Sequence, residues 1–234
     1  MPGEFTIASR FNGPPGSGNG GYSCGLLAAY VDGPARVRLH SPPPLDTPMQ
    51  VVDTGSGSFE MRDGELLVGS AAPARLTLEL PPPPSLSQAQ EAAGRYRCYT
   101  GHTFPTCFVC GPDRPGHDGL ELFPGPVNDW SLVACPWQPS ADLLDDRGNV
   151  RPEFVWAALD CPGYFAAMGD DIRPAVLGEL DGELRADVPG SEALVVYAWP
   201  MSSEGRKHIA GCAIASARGD ILAVSRSIWI LLEQ

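Results

Sequence analysis

No apolar run in this 234-residue sequence approaches the roughly 20 residues needed to cross a bilayer. The first residues, Met-Pro-Gly-Glu-Phe-Thr-Ile, lack the basic start and apolar stretch of a secretory leader. Basic side chains are scarce: 16 Lys and Arg against 28 Asp and Glu leave a net charge of -12. Such a surface repels phosphate backbones and anionic membranes, so no nucleic-acid or membrane partner is expected. A small anionic ligand is compatible with it only where a few basic groups converge. The seven cysteines are odd in number and scattered from Cys24 to Cys212, which does not suggest a disulfide framework. A cytoplasmic, reducing setting is the simplest expectation.

What is present is a chain that is 43% hydrophobic, enough for a well-buried core, with 27 Gly and 25 Pro punctuating it. After the Gly- and Pro-rich Phe11-Asn-Gly-Pro-Pro-Gly-Ser-Gly-Asn-Gly-Gly21, a helix is expected over 22–31, ended by Asp32-Gly33-Pro34. It is apolar almost all round, with small residues at Ser23, Cys24, Gly25, Ala28 and Ala29, as in a buried and closely wrapped helix. Strands are expected over 35–40, 49–54, 58–62, 65–71 and 75–80. In the second half Pro152 suits the first turn of a helix running from Glu153 to about Met168. Strands near 175–188, 193–200, 208–217 and 221–232 follow it, the last two joined by the turn Ala217-Arg-Gly-Asp220.

One helix followed by a long antiparallel sheet, twice over, reads as a duplicated α+β unit. Arg62-Asp-Gly-Glu-Leu-Leu-Val-Gly-Ser70 echoes Ala217-Arg-Gly-Asp-Ile-Leu-Ala-Val-Ser225. The division expected is 1–84, a linker over 85–106 after the proline run Pro81 to Pro84, and 107–234.

Three segments together resemble the hotdog superfamily of acyl-CoA thioesterases. Residues 11–21 resemble the loop that carries an Asn-Gly-Gly or His-Gly-Gly turn in thioesterase II-like proteins. Cys107-Phe-Val-Cys-Gly-Pro112, followed by Gly119-Leu-Glu-Leu-Phe123, is similar to a segment of relatives of the phenylacetate-pathway thioesterase. Ala157-Ala-Leu-Asp-Cys161 resembles the helical turn bearing the catalytic carboxylate in that group. The resemblance implies an α+β double hotdog, two long buried helices each wrapped by a curved antiparallel sheet. It also implies hydrolysis of acyl-CoA or a related thioester, no cofactor, and further pairing into a homodimer.

Thioester hydrolysis needs a polarised carbonyl and either an activated water or a carboxylate nucleophile. The resemblance assigns the first role to backbone N–H groups at a helix N-terminus, here Gly20 and Gly21, with Asn19 as a polar neighbour. The same residues also read as a glycine-rich approach to a helix capped by Asn19. Asp160 lies inside an otherwise apolar helix, where a carboxylate is costly unless paired or functional. It is the candidate base or nucleophile; the alternatives are a solvent-facing position or a bond to nearby backbone. In the family the Gly-Gly turn precedes the acid by seven residues on one helix, and two subunits build each site. Seven residues beyond Gly21 stands Ala28, and seven before Asp160 stands Glu153. Each half holds what the other lacks, so a single composite site between the halves is expected, its counterpart dead; the same degenerate half-motifs equally fit two sites that do not work.

Trp156, four residues before Asp160, is expected to line an acyl pocket. Arg206 and Lys207 are candidates for coenzyme A phosphates, although Gly-Arg-Lys is equally a solvated turn. Cys98, His102, Cys107 and Cys110 form a C-x3-H-x4-C-x2-C array, for which a closed Cys3His zinc site is chemically reasonable. The similar family segment often carries its cysteine pair without metal, so no metal is expected. Only four histidines exist and none adjoins a helix start, which disfavours a dehydratase. A non-catalytic acyl-CoA- or lipid-binding protein is the alternative from another class.

Overall fold

The computed structural model describes residues 3–233. Its elements in chain order are β1 (Gly3–Thr6), α1 (Gly20–Ala28), β2 (Ala35–Leu39), β3 (Pro48–Gly55), β4 (Ser58–Asp63), β5 (Leu66–Pro73) and α2 (Leu86–Ala93). Then come β6 (Gly125–Pro126), β7 (Val133–Trp137), α3 (Pro152–Ala158), α4 (Cys161–Met168), β8 (Ala175–Leu184), β9 (Leu194–Glu204), β10 (Lys207–Ala215) and β11 (Ile221–Leu231). All eleven strands join one sheet in the order β1-β3-β4-β5-β2-β8-β11-β10-β9-β7-β6. Read outward from the central β2–β8 pair, the two arms begin with the same succession of strands, and every pairing is antiparallel.

The period-two alternation in β2 explains its place. Ala35 and Val37 are fully buried on the face that packs α1, while Arg36 and Arg38 stand on the other face. Opposite them on β8 are Asp181 and Glu179. Arg36 grips Asp181 with two bonds, Nε to Oδ1 at 2.7 Å and Nη2 to Oδ2 at 2.8 Å, and Arg38 reaches Glu179 at 3.0 Å. The seam is therefore held by apolar pairs on one side and by charge on the other.

No helix among the described residues is long and apolar enough to cross a membrane. The expectation of two long buried helices is corrected on length. The first spans only nine residues, and the second is broken. α3 stops at Ala158 and α4 begins at Cys161, with Asp160 between them at φ −87° and ψ −83°. Pro162 is the cause: it lacks an N–H to donate, and its ring would strike the carbonyl four residues back.

The segment 75–80 is extended but pairs with no strand. Leu76, Leu78 and Leu80 instead lie across the outer face of the second arm, against Val195, Tyr197, Trp199, Ala213 and Val224. The Tyr197 hydroxyl donates to the Pro81 carbonyl at 3.1 Å. The stretch expected as a linker holds α2, begun by a capping box at Ser85 and Gln88, with Ala89 and Ala92 fully buried in the same layer. Alternation of leucines is a strand signal, yet here it serves a chain lying on a sheet rather than extending it. β1, β6 and β7 are not among the expected strands.

α1 and α3 pack closely because glycines face the contact. A Cβ on Gly25 would lie 2.7 Å from Glu153 Cα and 2.8 Å from Trp156 Cβ. Gly25→Val is therefore expected to lower stability by about 2 kcal/mol, read as a lower urea midpoint at unchanged slope.

Candidate active site

α1 begins at an asparagine. Asn19 Oδ1 accepts from the Tyr22 amide at 2.9 Å, an N-cap that frees the other end of the side chain to point elsewhere. That amide, Nδ2, donates to Asp160 Oδ2 at 3.1 Å. The Gly21 N–H donates to the same oxygen at 2.9 Å. The approach is close enough that a Cβ on Gly21 would fall 2.4 Å from Asp160 Cβ and 2.6 Å from the Trp156 carbonyl. Asn19 and Asp160 are 2% and 1% exposed. The two residues come from the helices that precede the two arms of the sheet, 141 positions apart in sequence.

Among the described residues Asp160 Oδ1 has no hydrogen-bond partner. Burial, opposed by the Gly21 amide, raises the carboxyl from its ordinary 3.8 to about 7. Near neutrality the acid thus exchanges its proton readily, the property a general base requires.

The pair borders a cavity of about 380 Å³. Its walls combine Ser17 to Gly20 and Leu39 to Pro43 from the first arm with Tyr164, Leu177 and Trp229 from the second. Gly20 lies on the wall as the first residue of α1, where its N–H has no acceptor within the helix. Gly21 is different: its amide is committed to Asp160.

His102 also lines this cavity. Its Nδ1 accepts from the Phe104 amide at 2.9 Å, and burial lowers its pKa, so the neutral ring carries its proton on Nε2. Nε2 is buried without a partner. Sequence reading placed His102 only in a metal array. Nothing in local spacing signals that a histidine on the loop before Cys107 shares a wall with Asn19.

Three expected residues lie elsewhere. Trp156 is not on the cavity wall; its indole covers Gly182 of β8, where a Cβ would come within 2.6 Å of the ring. The four-residue spacing to Asp160 fails as a guide because the helix breaks between them. Arg206 pairs with Glu233 at 3.1 Å on an exposed hairpin, and neither it nor Lys207 reaches the wall. Lys207 does stand opposite Ile230, which lines the cavity.

The four-residue metal array is not assembled either. Cys107 and Cys110 have their sulfurs beside that of Cys161, all within 4.8 Å of one another, while Cys98 and His102 stand outside this set.

No family model matches this chain, and no curated protein matches it in sequence. Solved structures do match it, over nearly the whole chain. A hot dog fold protein from Alicyclobacillus acidocaldarius aligns over 100% of this chain and 94% of its own, with TM-score 0.62 and 10% identity. The chain has the hotdog fold. The tesB protein of Mycobacterium avium subspecies paratuberculosis covers 99% of this hotdog chain and 93% of its own, with TM-score 0.64 and 14% identity. An acyl-CoA thioesterase II, TesB2 of Mycobacterium marinum, covers 100% and 93%, with TM-score 0.63 and 10% identity.

A buried carboxyl with a raised pKa costs stability whenever it is ionised. The rise from 3.8 to about 7 corresponds to roughly 4 kcal/mol against the charged form. Because the folded pKa is the higher one, that cost is full above about 7 and fades as pH falls toward 4. Asp160→Asn is accordingly expected to be more stable than the native chain at pH 8, the gap shrinking by pH 5. Denaturant midpoints of both proteins at the two pH values check this.

Proposed function

We propose that this protein hydrolyses an acyl thioester, of the acyl-CoA class, in the cavity beside Asp160. The observation that carries the reading is the junction of Asn19, Gly21 and a half-satisfied Asp160 carboxylate, all buried and drawn from the helices that precede the two arms of the sheet. The structural kinship with thioesterases supports the reaction class.

In this reading the chain is a double hotdog made by internal duplication. The mirrored strand order about β2 and β8 supports that view, as does the matching place of α1 and the α3–α4 pair before each set of four strands. Only one of the two pseudo-equivalent sites is complete, since Ala28 and Glu153 occupy the positions where the second would need an acid and a glycine.

The acyl thioester lies in the cavity with its carbonyl oxygen toward the Gly20 N–H, where the positive end of α1 favours developing negative charge. Asn19 and Gly21 fix one carboxylate oxygen of Asp160. The free oxygen, Oδ1, takes a proton from a water as that water attacks the carbonyl carbon. A C–O bond forms, the C–S bond breaks, and the proton held by Asp160 passes to the departing thiolate. The mostly apolar wall suits an acyl group. No Arg or Lys lies on it, so the phosphates of a carrier would rest outside.

Thiol release from short, long and aromatic acyl-CoAs is the test. Turnover is expected for at least one class. It should fall as pH drops through about 7 with protonation of Asp160. Asp160→Asn should reduce kcat by about 100-fold or more while acyl-CoA still binds. Saturable binding with no thiol release from any substrate would make the protein a carrier or sensor instead.

A further inference from the structure

Three of the seven cysteines converge on one point. Cys107 and Cys110 come from the loop after α2, and Cys161 opens α4. Their sulfurs lie within 4.8 Å of one another, with Cys107 Sγ and Cys161 Sγ 3.8 Å apart. A tetrahedral zinc ion with Zn–S bonds near 2.3 Å sets its sulfurs about 3.8 Å from each other. The trio therefore already has nearly the spacing of three corners of such a site.

The turn bearing two of these sulfurs is hydrogen-bonded and closely packed. The Gly111 amide donates to the Cys107 carbonyl at 2.9 Å, and a Cβ at Gly111 would meet Cys107 N at 2.4 Å and the Pro105 carbonyl at 2.5 Å. A side-chain amide donor lies beside two of the sulfurs. Asn19 Nδ2 stands 3.9 Å from Cys107 Sγ and 3.8 Å from Cys161 Sγ. Hydrogen bonds of this kind favour the charged form of a ligand over the protonated one. All three residues are at most 6% exposed, and all three line the cavity.

We propose that Cys107, Cys110 and Cys161 bind a zinc ion through three thiolates, leaving its fourth position open to the cavity. This departs from the metal-free expectation drawn from the family resemblance, and it uses a different third ligand from the C-x3-H-x4-C-x2-C array. His102 is no ligand here, because its ring nitrogens stand outside the set of three sulfurs. Binding forms three Zn–S bonds and releases to solvent the protons the thiols still carry, leaving one net negative charge beside the Asn19 amide. A water or an external thiolate completes the tetrahedron. Asp160 stays outside the trio, with Oδ2 at 3.9 Å from Cys161 Sγ, so the inference does not depend on thioester hydrolysis.

Metal-free protein, kept reduced by a non-chelating phosphine, is titrated with zinc and separately with cobalt(II). One equivalent of zinc should bind, with protons released in weakly buffered solution. Cobalt should give thiolate-to-metal charge-transfer bands and the strong visible bands of a tetrahedral ion. Cys161→Ser should weaken zinc binding by about 100-fold or more, whereas Cys98→Ser and His102→Gln should bind as the native chain does. Should Cys161→Ser fail to fold, X-ray absorption at the zinc edge of the native protein decides, with three sulfurs expected in the first shell. No uptake by the native protein would overturn the proposal. So would uptake unchanged by Cys161→Ser, uptake lost with Cys98 or His102, or a shell of two sulfurs or fewer.

Discussion

The Gly21 amide and the Asp160 carboxylate meet 2.9 Å apart, out of reach of bulk water, and much of the surrounding chain is arranged to allow it. A carboxylate at 1% exposure needs donors, and the first turn of a helix is where a backbone has donors to spare. Bringing that turn against another helix demands small residues, which is why Gly21 and Gly25 lie one turn apart along the contact. The acceptor must also point out of its own helix. The break at Leu159 and Asp160 supplies this, and Pro162 enforces it. An unbroken helix would hold the Asp160 backbone in line with Trp156, whose indole faces the sheet at Gly182.

The contact joins residues from the helices that precede the two arms of the sheet, so its geometry is only as fixed as the seam between those arms. There the inner face is Val37 against Leu180, and the outer face is Arg36 and Arg38 against Asp181 and Glu179, with Arg226 also within 3.7 Å of both acids. The acids are nearly buried while Arg36 and Arg38 remain about half-exposed. Pairs of this kind add modest stability, yet an acidic residue buried there without an arginine would be costly, so they fix register more than they strengthen the sheet. In a chain of net charge -12, three arginines on one seam are a considerable share of the 16 basic residues.

Much of this was legible in the residues. The two turns of Arg62-Asp-Gly64 and Ala217-Arg-Gly-Asp220, the strands flanking them, and the acid set in an apolar helix all follow from local chemistry. So does the meeting of Asn19 and Gly21 with Asp160, once two halves are assumed to pair. What local chemistry does not reveal is which layer an alternating segment joins. Leu76, Leu78 and Leu80 carry a strand pattern, but Tyr197 and Trp199 on the outer face of β9 offered them an apolar surface, and burial there competes with ladder formation. The helix break is hidden for a related reason: the apolar run continues on both sides of Pro162, and hydrophobicity alone reads as one helix.

The cysteines make the same point about distance in sequence and distance in space. Spacing groups Cys98 and His102 with Cys107 and Cys110, because all four lie within thirteen residues. The fold leaves His102 with its Nδ1 tied to the next turn and carries Cys161, more than fifty residues on, beside Cys107 and Cys110. That placement follows from Asp160 rather than from the cysteines themselves. The carboxylate must turn toward Gly21, the residue after it must then start a new helix, and the side chain at that first position faces the loop that lies alongside. A thiol there meets two thiols already fixed by the Gly111 turn. Side chains that adjoin a constrained acid inherit its constraint, so the cluster of three thiols and the position of Asp160 arise from one backbone arrangement.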